Sequence, residues 1–130
     1  MAELNAHPKE VLDVGLPPLG QPFSWATKKN GFVFTAHGPV LSDGTINTGS
    51  IDEQARITFD NLRRTLIAAG GTLDDVMQVL IYMTDIADMP KIDTIYREFF
   101  AEPYPNRSSF AVVALAVPAM KIEIVAYAIV

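Results

Sequence analysis

The segment 76–84 constrains the fold most, because it is apolar at both odd and even positions apart from Gln78. Since side chains alternate between the two faces of a strand, such a run predicts a strand covered on both faces. The aromatic and β-branched run 32–36 and the C-terminal run 120–130 also carry apolar side chains on both faces. A fold that contains these strands needs apolar material on each side of its sheet.

Two helices are predicted between the strands. A capping box at 50–53 begins the first, apolar residues recur at steps of three and four over 55–66, and the glycine pair at 70–71 ends it. The second opens at 88–90, where proline is tolerated in the first turn. With a further strand at 108–115, the order of elements predicts an α+β domain with both helices on one face of the sheet.

The chain is long enough for one domain and too short for two, so residues 1–130 are predicted to form a single domain. Residues 1–16 are expected to be an irregular N-terminal arm, because prolines and glycines interrupt the start of the chain. Two helices cover only one face of the sheet. The apolar second face therefore predicts a homo-oligomer packed sheet against sheet, whose subunit interfaces offer room for a ligand site.

The composition excludes several classes of function. The formal net charge of −5 and the lack of a basic run argue against a nucleic-acid partner. Without cysteine there is no disulfide, thiol nucleophile or cysteine-based metal site. His7 and His37 are far apart and outside any ligand-spaced motif, so no metal or other cofactor is expected. The lack of a secretory signal and of a membrane-spanning run favours a cytoplasmic protein without a membrane partner.

Arg107 and Glu123 are charged residues within strand-like, otherwise apolar sequence, where an unpaired charge is costly. The planar guanidinium suits a carboxylate held by two hydrogen bonds, and a carboxylate in apolar surroundings can orient or deprotonate water. Together they indicate hydrolysis of a small anion. The alternative is that Arg107 pairs with an acidic residue elsewhere and that Glu123 lies on a solvated strand face beside Lys121.

The last two strands are expected to form a hairpin that turns near Val117. In that register Glu123 lies opposite residue 111, roughly 13 Å along the strand from Arg107. The two charges then do not meet within one chain. They either share a site across a subunit interface or are unrelated.

Three other side chains are weaker candidates. Ser109 points the same way as Arg107 but lacks the context of a nucleophile elbow. His37 directly follows a strand, so it either lines a pocket or is bonded locally. Asp93 stands four residues before Arg97, and an ion pair on one helix face is its simpler interpretation.

Two motifs near the C-terminus carry a resemblance to a known family. They are Pro105-Asn106-Arg107-Ser108-Ser109 and Lys121-Ile122-Glu123-Ile124, with Gly70-Gly71-Thr72-Leu73-Asp74-Asp75-Val76 and Tyr96-Arg97-Glu98-Phe99-Phe100 at matching intervals upstream. Over residues 17–130 the chain resembles the RidA family, also called YjgF/YER057c/UK114. The resemblance implies a chorismate-mutase-like fold with a mixed sheet, a homotrimer with clefts between subunits, and cofactor-free hydrolysis of enamines or imines to ketones and ammonia.

The resemblance also implies roles for single residues. Arg107 matches the arginine that binds the carboxylate of a small substrate. Glu123 matches the acid that positions the attacking water. Ser109 falls at a position where the backbone matters more than the side chain.

Four positions depart from the family pattern and are expected to shape the substrate pocket. Phe23 stands where tyrosine is common, and Asp93 where asparagine is frequent. Ala36 and His37 replace a pair of small residues. An added imidazole and an added carboxylate beside an anion site would change substrate preference. The reaction class is therefore implied more firmly than 2-iminobutanoate or 2-aminoacrylate as the substrate.

Two other functions stay open. A carboxylate-binding or regulatory protein of the same fold would keep the arginine without useful turnover. A ribonuclease or translation inhibitor, which the resemblance also suggests, ranks last because the chain is acidic and has no basic patch.

Overall fold

The computed structural model describes residues 8–130, which form one six-stranded sheet with two helices packed on it. The strands are β1 (Glu10–Val11), β2 (Ala26–Lys29), β3 (Phe32–His37), β4 (Val76–Met83), β5 (Asn106–Ala111) and β6 (Ile122–Ile129). The helices are α1 (Ile51–Ala68) and α2 (Met89–Phe99), and short 3₁₀ helices precede β4 (Leu73–Asp75) and α2 (Ile86–Asp88). The predicted α+β class and its two helices are confirmed.

The strand order is β1-β2-β3-β6-β4-β5, and within residues 8–130 only β4 and β5 pair in parallel. The mixed sheet is therefore confirmed, but the hairpin expected between the last two strands is wrong. β4 lies between β5 and β6. The crossover through α2 is the physical reason, because it returns the chain beside β4 in the same direction. β5 also ends at Ala111 rather than at residue 115.

β2 and β3 form a hairpin whose first strand the sequence pattern does not indicate. Asn30 and Gly31 form the turn with φ values of 52° and 82°, the left-handed backbone that a type I′ turn requires. Asn-Gly is the residue pair that such a turn favours. β2 contains the lysine pair Lys28-Lys29, which is more typical of a solvated surface than of a strand.

Part of the predicted N-terminal arm is attached to the sheet. Glu10 and Val11 pair with β2, and the side chains of Leu12 and Val14 are buried in the core. Burial of these two apolar side chains fixes the segment to the domain, although only two of its residues form a strand. His7 lies outside the described residues.

Both helices begin close to the predicted positions, and α1 ends just before the predicted glycine pair. The Ser50 hydroxyl accepts a hydrogen bond from the Glu53 backbone N–H at 3.2 Å, and Gly70 takes left-handed backbone after α1 with φ of 93°. Pro90 lies in the first turn of α2. The predicted apolar stripe of α1 is fully buried: Ala55, Phe59, Leu62 and Leu66. Neither helix in the described part of the chain is both long and apolar enough to cross a membrane.

The two faces of the sheet differ in their cover. On β3, β4 and β6 alternate side chains are buried toward the helices, and the others point to the opposite face, here called the open face. On the open face, Phe32 and Phe34 are each 50% exposed and Phe110 is 44% exposed. The apolar second face predicted from the sequence is therefore present and half exposed in the single chain.

Candidate functional site

The side chains predicted to form a site fall into two groups on opposite faces of the sheet. Arg107 of β5 lies opposite Val79 of β4, which is buried under the helices, so Arg107 points to the helix face. Glu123 of β6 lies opposite Tyr82 of β4, which alternates with the buried residues, so Glu123 points to the open face. Each group lines its own pocket.

Glu123 lines a cavity of about 260 Å³ together with three other predicted residues, Phe23, Ala36 and His37. Much of the rest of the wall is apolar and includes Leu19, Trp25, Val40, Ile46, Val117 and Met120. Glu123 is the one acidic residue among the lining residues described. A carboxylate in such a wall is poorly hydrated, which alters its chemistry.

The Glu123 carboxyl is half-buried, and this burial raises its pKa above the ordinary glutamate value. Among the described residues no arginine or lysine forms an ion pair with it. The neighbouring Lys121 instead donates from Nζ to the Gly49 carbonyl at 2.9 Å. Glu123 is therefore half-buried in the cavity wall and does not pair with Lys121. An unpaired carboxyl with a raised pKa is suited to accept and return a proton.

His37 is a buried, neutral part of the cavity wall. Its Nε2 lies 2.7 Å from the Thr65 hydroxyl, and that hydroxyl donates to the Asn61 carbonyl at 2.9 Å. Because the Thr65 hydroxyl hydrogen is used in that bond, the Thr65 oxygen accepts from His37, and Nε2 therefore carries the imidazole proton. Nδ1 is then a hydrogen-bond acceptor, and it has no partner in the described chain. Burial, and then the charge of Arg64, lowers the His37 pKa to about 4. His37 both lines the pocket and bonds to α1, so its partner is not local in sequence.

Phe23 and Trp25 form an aromatic edge of the same cavity. The Phe23 ring meets Trp25 edge-on at 4.8 Å between centroids, and Trp25 stacks on His37 at 6.2 Å. The Trp25 indole N–H donates to the Pro17 carbonyl at 3.1 Å, which fixes the ring. Phe23 is 49% exposed, so it is the member of this group that a ligand or another chain can contact.

Gln54 of α1 holds two cavity loops, a role that the sequence pattern does not indicate. Its Nε2 donates to the carbonyls of Asn47 at 2.8 Å and Ala119 at 2.9 Å, and its Oε1 accepts from the Lys121 backbone N–H at 2.8 Å. Gln54 is fully buried. Each of these bonds satisfies a backbone group whose loss of a partner costs about 1–3 kcal/mol when buried. The start of β6, and with it Glu123, is thereby tied to α1.

Asn61 of α1 likewise holds the segment that follows β3, by hydrogen bonds to its backbone. Its Nδ2 donates to the carbonyls of Gly38 at 3.1 Å and Val40 at 2.9 Å, both of which belong to the cavity wall. The sequence shows a regular pattern at these positions, but the pattern alone does not show that the side chains are buried. Polar residues recur along α1 at the same steps as the apolar stripe, one position earlier: Gln54, Thr58, Asn61 and Thr65.

The second group surrounds Arg107, which lines a pocket of about 230 Å³ with Asp93. Arg107 Nη2 lies 2.6 Å from Asp93 Oδ1, and Nε donates to the Ser109 hydroxyl at 3.0 Å. The ion pair confirms the alternative in which Arg107 pairs with an acidic residue. It also corrects the prediction for Asp93, which pairs across to β5 and not with Arg97 on its own helix. The Ser109 side chain helps to orient the guanidinium.

Arg107 keeps donors for a ligand. Its contacts with Asp93 and Ser109 use Nη2 and Nε, and neither involves Nη1. The guanidinium carbon lies 4.8 Å from the centroid of the Tyr96 ring. Burial raises the Tyr96 pKa to about 12, so this ring stays neutral at physiological pH. A carboxylate that enters the pocket therefore meets a cation that is already oriented.

Arg107 and Glu123 do not form one site within a single chain. They point to opposite faces, and β4 separates their strands. This agrees with the expectation that the charges do not meet, although the hairpin register behind that expectation is wrong. Among residues 8–130 no group of three or more histidine, cysteine, aspartate or glutamate side chains could hold a metal ion.

Comparison with known proteins identifies the family. The family described as Endoribonuclease L-PSP matches residues 17–130. The chain belongs to this family. Proteins that carry the RidA and RutC names are among the matches, which confirms the RidA resemblance.

Relatives within the RidA family cover most of the chain. Protein mmf2, mitochondrial, from Schizosaccharomyces pombe is 35% identical over 107 residues, which are 81% of this chain and 85% of the relative. The 3-aminoacrylate deaminase RutC from Acinetobacter baylyi is 34% identical over 124 residues, 93% of this chain and 98% of the relative. Because one relative is named mitochondrial, the cytoplasmic location stays a prediction.

The fold is also that of solved RidA-family structures. The crystal structure of E. coli TdcF with bound serine superposes with a TM-score of 0.84 at 29% identity, and covers 94% of this chain and 99% of that chain. The sheet and both helices are therefore shared with proteins of this family.

Proposed function

We propose that this RidA-family protein hydrolyses reactive enamines or imines of small carboxylates to ketones and ammonia, without a cofactor. The observation that carries the proposal is Glu123, an unpaired carboxyl whose pKa is raised by burial in a largely apolar cavity. The name of the RutC relative, a 3-aminoacrylate deaminase, supports the same reaction class.

The proposed reaction needs one water and a group that moves protons. An enamine gains a proton from solvent at carbon, or an imine gains one at nitrogen, and either becomes the iminium. Ionised Glu123 then takes a proton from a water as the water oxygen bonds to the iminium carbon and the C=N electron pair moves to nitrogen, which gives a neutral carbinolamine. Glu123 returns that proton to nitrogen, the C–N bond breaks with its electron pair on ammonia, and the hydroxyl proton passes to solvent as the C=O bond of the ketone forms. Atoms and charge balance without an oxidant or a reductant.

Arg107 is proposed to bind the substrate carboxylate and so to fix the imine carbon relative to the water. Because Arg107 and Glu123 point to opposite faces of one sheet, a site that contains both residues draws them from two subunits. The half-exposed aromatic residues of the open face support a homotrimer in which the sheets pack together and form clefts.

Turnover of freshly made imines tests the proposal. An amino-acid oxidase generates a panel of 2-imino acids in situ, and the loss of each imine is followed with and without the protein. Faster loss than in buffer supports the proposal. No acceleration with any imine contradicts it and favours a carboxylate-binding protein without turnover, whereas salt-dependent RNA binding would favour the ribonuclease alternative.

A composite site predicts rescue between two inactive variants. Arg107→Ala chains keep Glu123, and Glu123→Gln chains keep Arg107. If the trimers are dissociated, mixed in equal amounts and reassembled at random, about a quarter of the clefts receive both intact residues. Activity should therefore return to about a quarter of that of wild-type protein treated in the same way.

The matched control is a mixture of Arg107→Ala chains with chains that carry both substitutions, since no cleft then contains Arg107. This mixture should stay inactive, and light scattering should show trimers in both mixtures. A monomer in solution, or trimers without rescue in the first mixture, would contradict the composite site.

A further inference from the structure

We propose that Asp93 makes the Arg107 pocket selective for small carboxylates with an N–H donor on the neighbouring carbon. Asp93 would thereby distinguish the imine substrate from its ketone product. The identity of substrate and product rests on the proposed function, but the selectivity itself follows from the geometry of the pocket.

The Asp93 carboxylate faces both Arg107 and the pocket. Its Oδ1 lies 2.6 Å from Arg107 Nη2 and is itself buried, yet the Asp93 side chain as a whole is 33% exposed. The exposed area therefore belongs to the rest of the side chain, which includes Oδ2. Both side chains line the same pocket of about 230 Å³. A ligand carboxylate that binds Arg107 must lie close to this second carboxylate.

Asp93 already places one negative charge beside Arg107. A ligand whose only polar group is a carboxylate adds a second negative charge there, and the repulsion between the two weakens its binding. A ligand with an ammonium, iminium or neutral N–H group beside its carboxylate has the complementary pattern, because its carboxylate binds Arg107 while its N–H donates to Asp93. Such a bond to a charged acceptor changes affinity by about tenfold or more. Arg97 also lines the pocket, so the pocket as a whole still attracts anions. Asp93 thus changes selectivity without abolishing binding.

The same contact has opposite effects on substrate and product. The imine carries its nitrogen on the carbon next to the carboxylate and can donate to Asp93. The ketone has an oxygen there, whose lone pairs face a carboxylate that cannot donate. Asp93 therefore favours capture of the imine and release of the keto acid.

Two ligands that the protein does not convert test the proposal: 2-aminobutanoate and 2-oxobutanoate. They share the carbon skeleton and the carboxylate, but the amino acid carries a positively charged ammonium with N–H donors where the keto acid carries a ketone oxygen. By isothermal titration calorimetry, the wild type should bind the amino acid about tenfold more tightly than the keto acid. In Asp93→Asn the ratio should fall toward one, mainly because the keto acid binds more tightly. Asp93→Ser, also neutral, should behave in the same way.

Glu98→Gln is the matched control, because it removes one negative charge from α2 but at a residue that pairs with Arg56 at 2.9 Å. Its ratio should equal that of the wild type. An unchanged ratio in both folded Asp93 variants would overturn the proposal, as would a wild type that binds neither ligand. Since neither ligand reacts, selective binding without imine hydrolysis would refute the proposed function alone.

Discussion

Replacing Glu123 by glutamine is expected to lower kcat for imine hydrolysis about 10²–10⁴-fold, the usual contribution of a general acid–base group. The amide keeps the shape of the side chain, but it has no charge and does not accept a proton at physiological pH. Binding of a non-reacting carboxylate ligand should persist, because Arg107 is unchanged. Steady-state kinetics with imines generated in situ, together with calorimetric binding, measure the two effects separately.

The pH dependence gives a second measure of Glu123. Glu123 acts as a base only in its ionised form. The wild-type rate should therefore be high at pH values above the Glu123 pKa and should decrease as the pH is lowered through that pKa. Because burial raises that pKa, the loss of rate on acidification should begin at a higher pH than for an exposed glutamate. The residual rate of Glu123→Gln should lack this step, and Glu98→Gln should keep it. Unchanged turnover in Glu123→Gln would show that the role of Glu123 is structural and not catalytic.

The elements of the fold could be predicted because their signals are local. The capping residue Ser50, the terminating Gly70 and the apolar stripe of α1 each act within a few residues along the chain. The order of the strands could not be predicted in this way. Periodicity shows which residues of β5 share a face, but it does not show that β5 joins the sheet beside β4 rather than β6.

The site was predictable to the extent that a charge in an apolar strand is itself informative. This signal identified Arg107 and Glu123, and the structure places each in a pocket. The partner of Arg107 was not predictable, because Asp93 is on α2 and the contact depends on how that helix packs against β5. Gln54 and Asn61 were overlooked for another reason. Polar residues next to an apolar stripe are usually solvated, and only the packing of α1 shows that these two are buried.

Arg107→Ala is expected to lower kcat/KM for a carboxylate-bearing imine about 10³-fold, because two charge-assisted hydrogen bonds to the substrate are lost. A substrate analogue without a carboxylate should be affected much less, which separates loss of binding from loss of chemistry. The fold should survive. The Arg107–Asp93 pair is partly exposed, at 21% and 33% of the side chains, and pairs near the surface contribute about 1 kcal/mol or less. Thermal unfolding of the variant checks this expectation.

Arg107→Lys is the more informative variant, because it keeps the charge and removes the planar group. Arg107 contacts Ser109 through Nε, Asp93 through Nη2 and the Tyr96 ring through its face, all at the same time. A lysine has a single ammonium group, which Asp93 would take, leaving no second donor for the substrate. The lysine variant should therefore keep only about a hundredth of the wild-type kcat/KM. Near wild-type efficiency with lysine would show that charge alone suffices, and that the guanidinium geometry at residue 107 does not determine substrate capture.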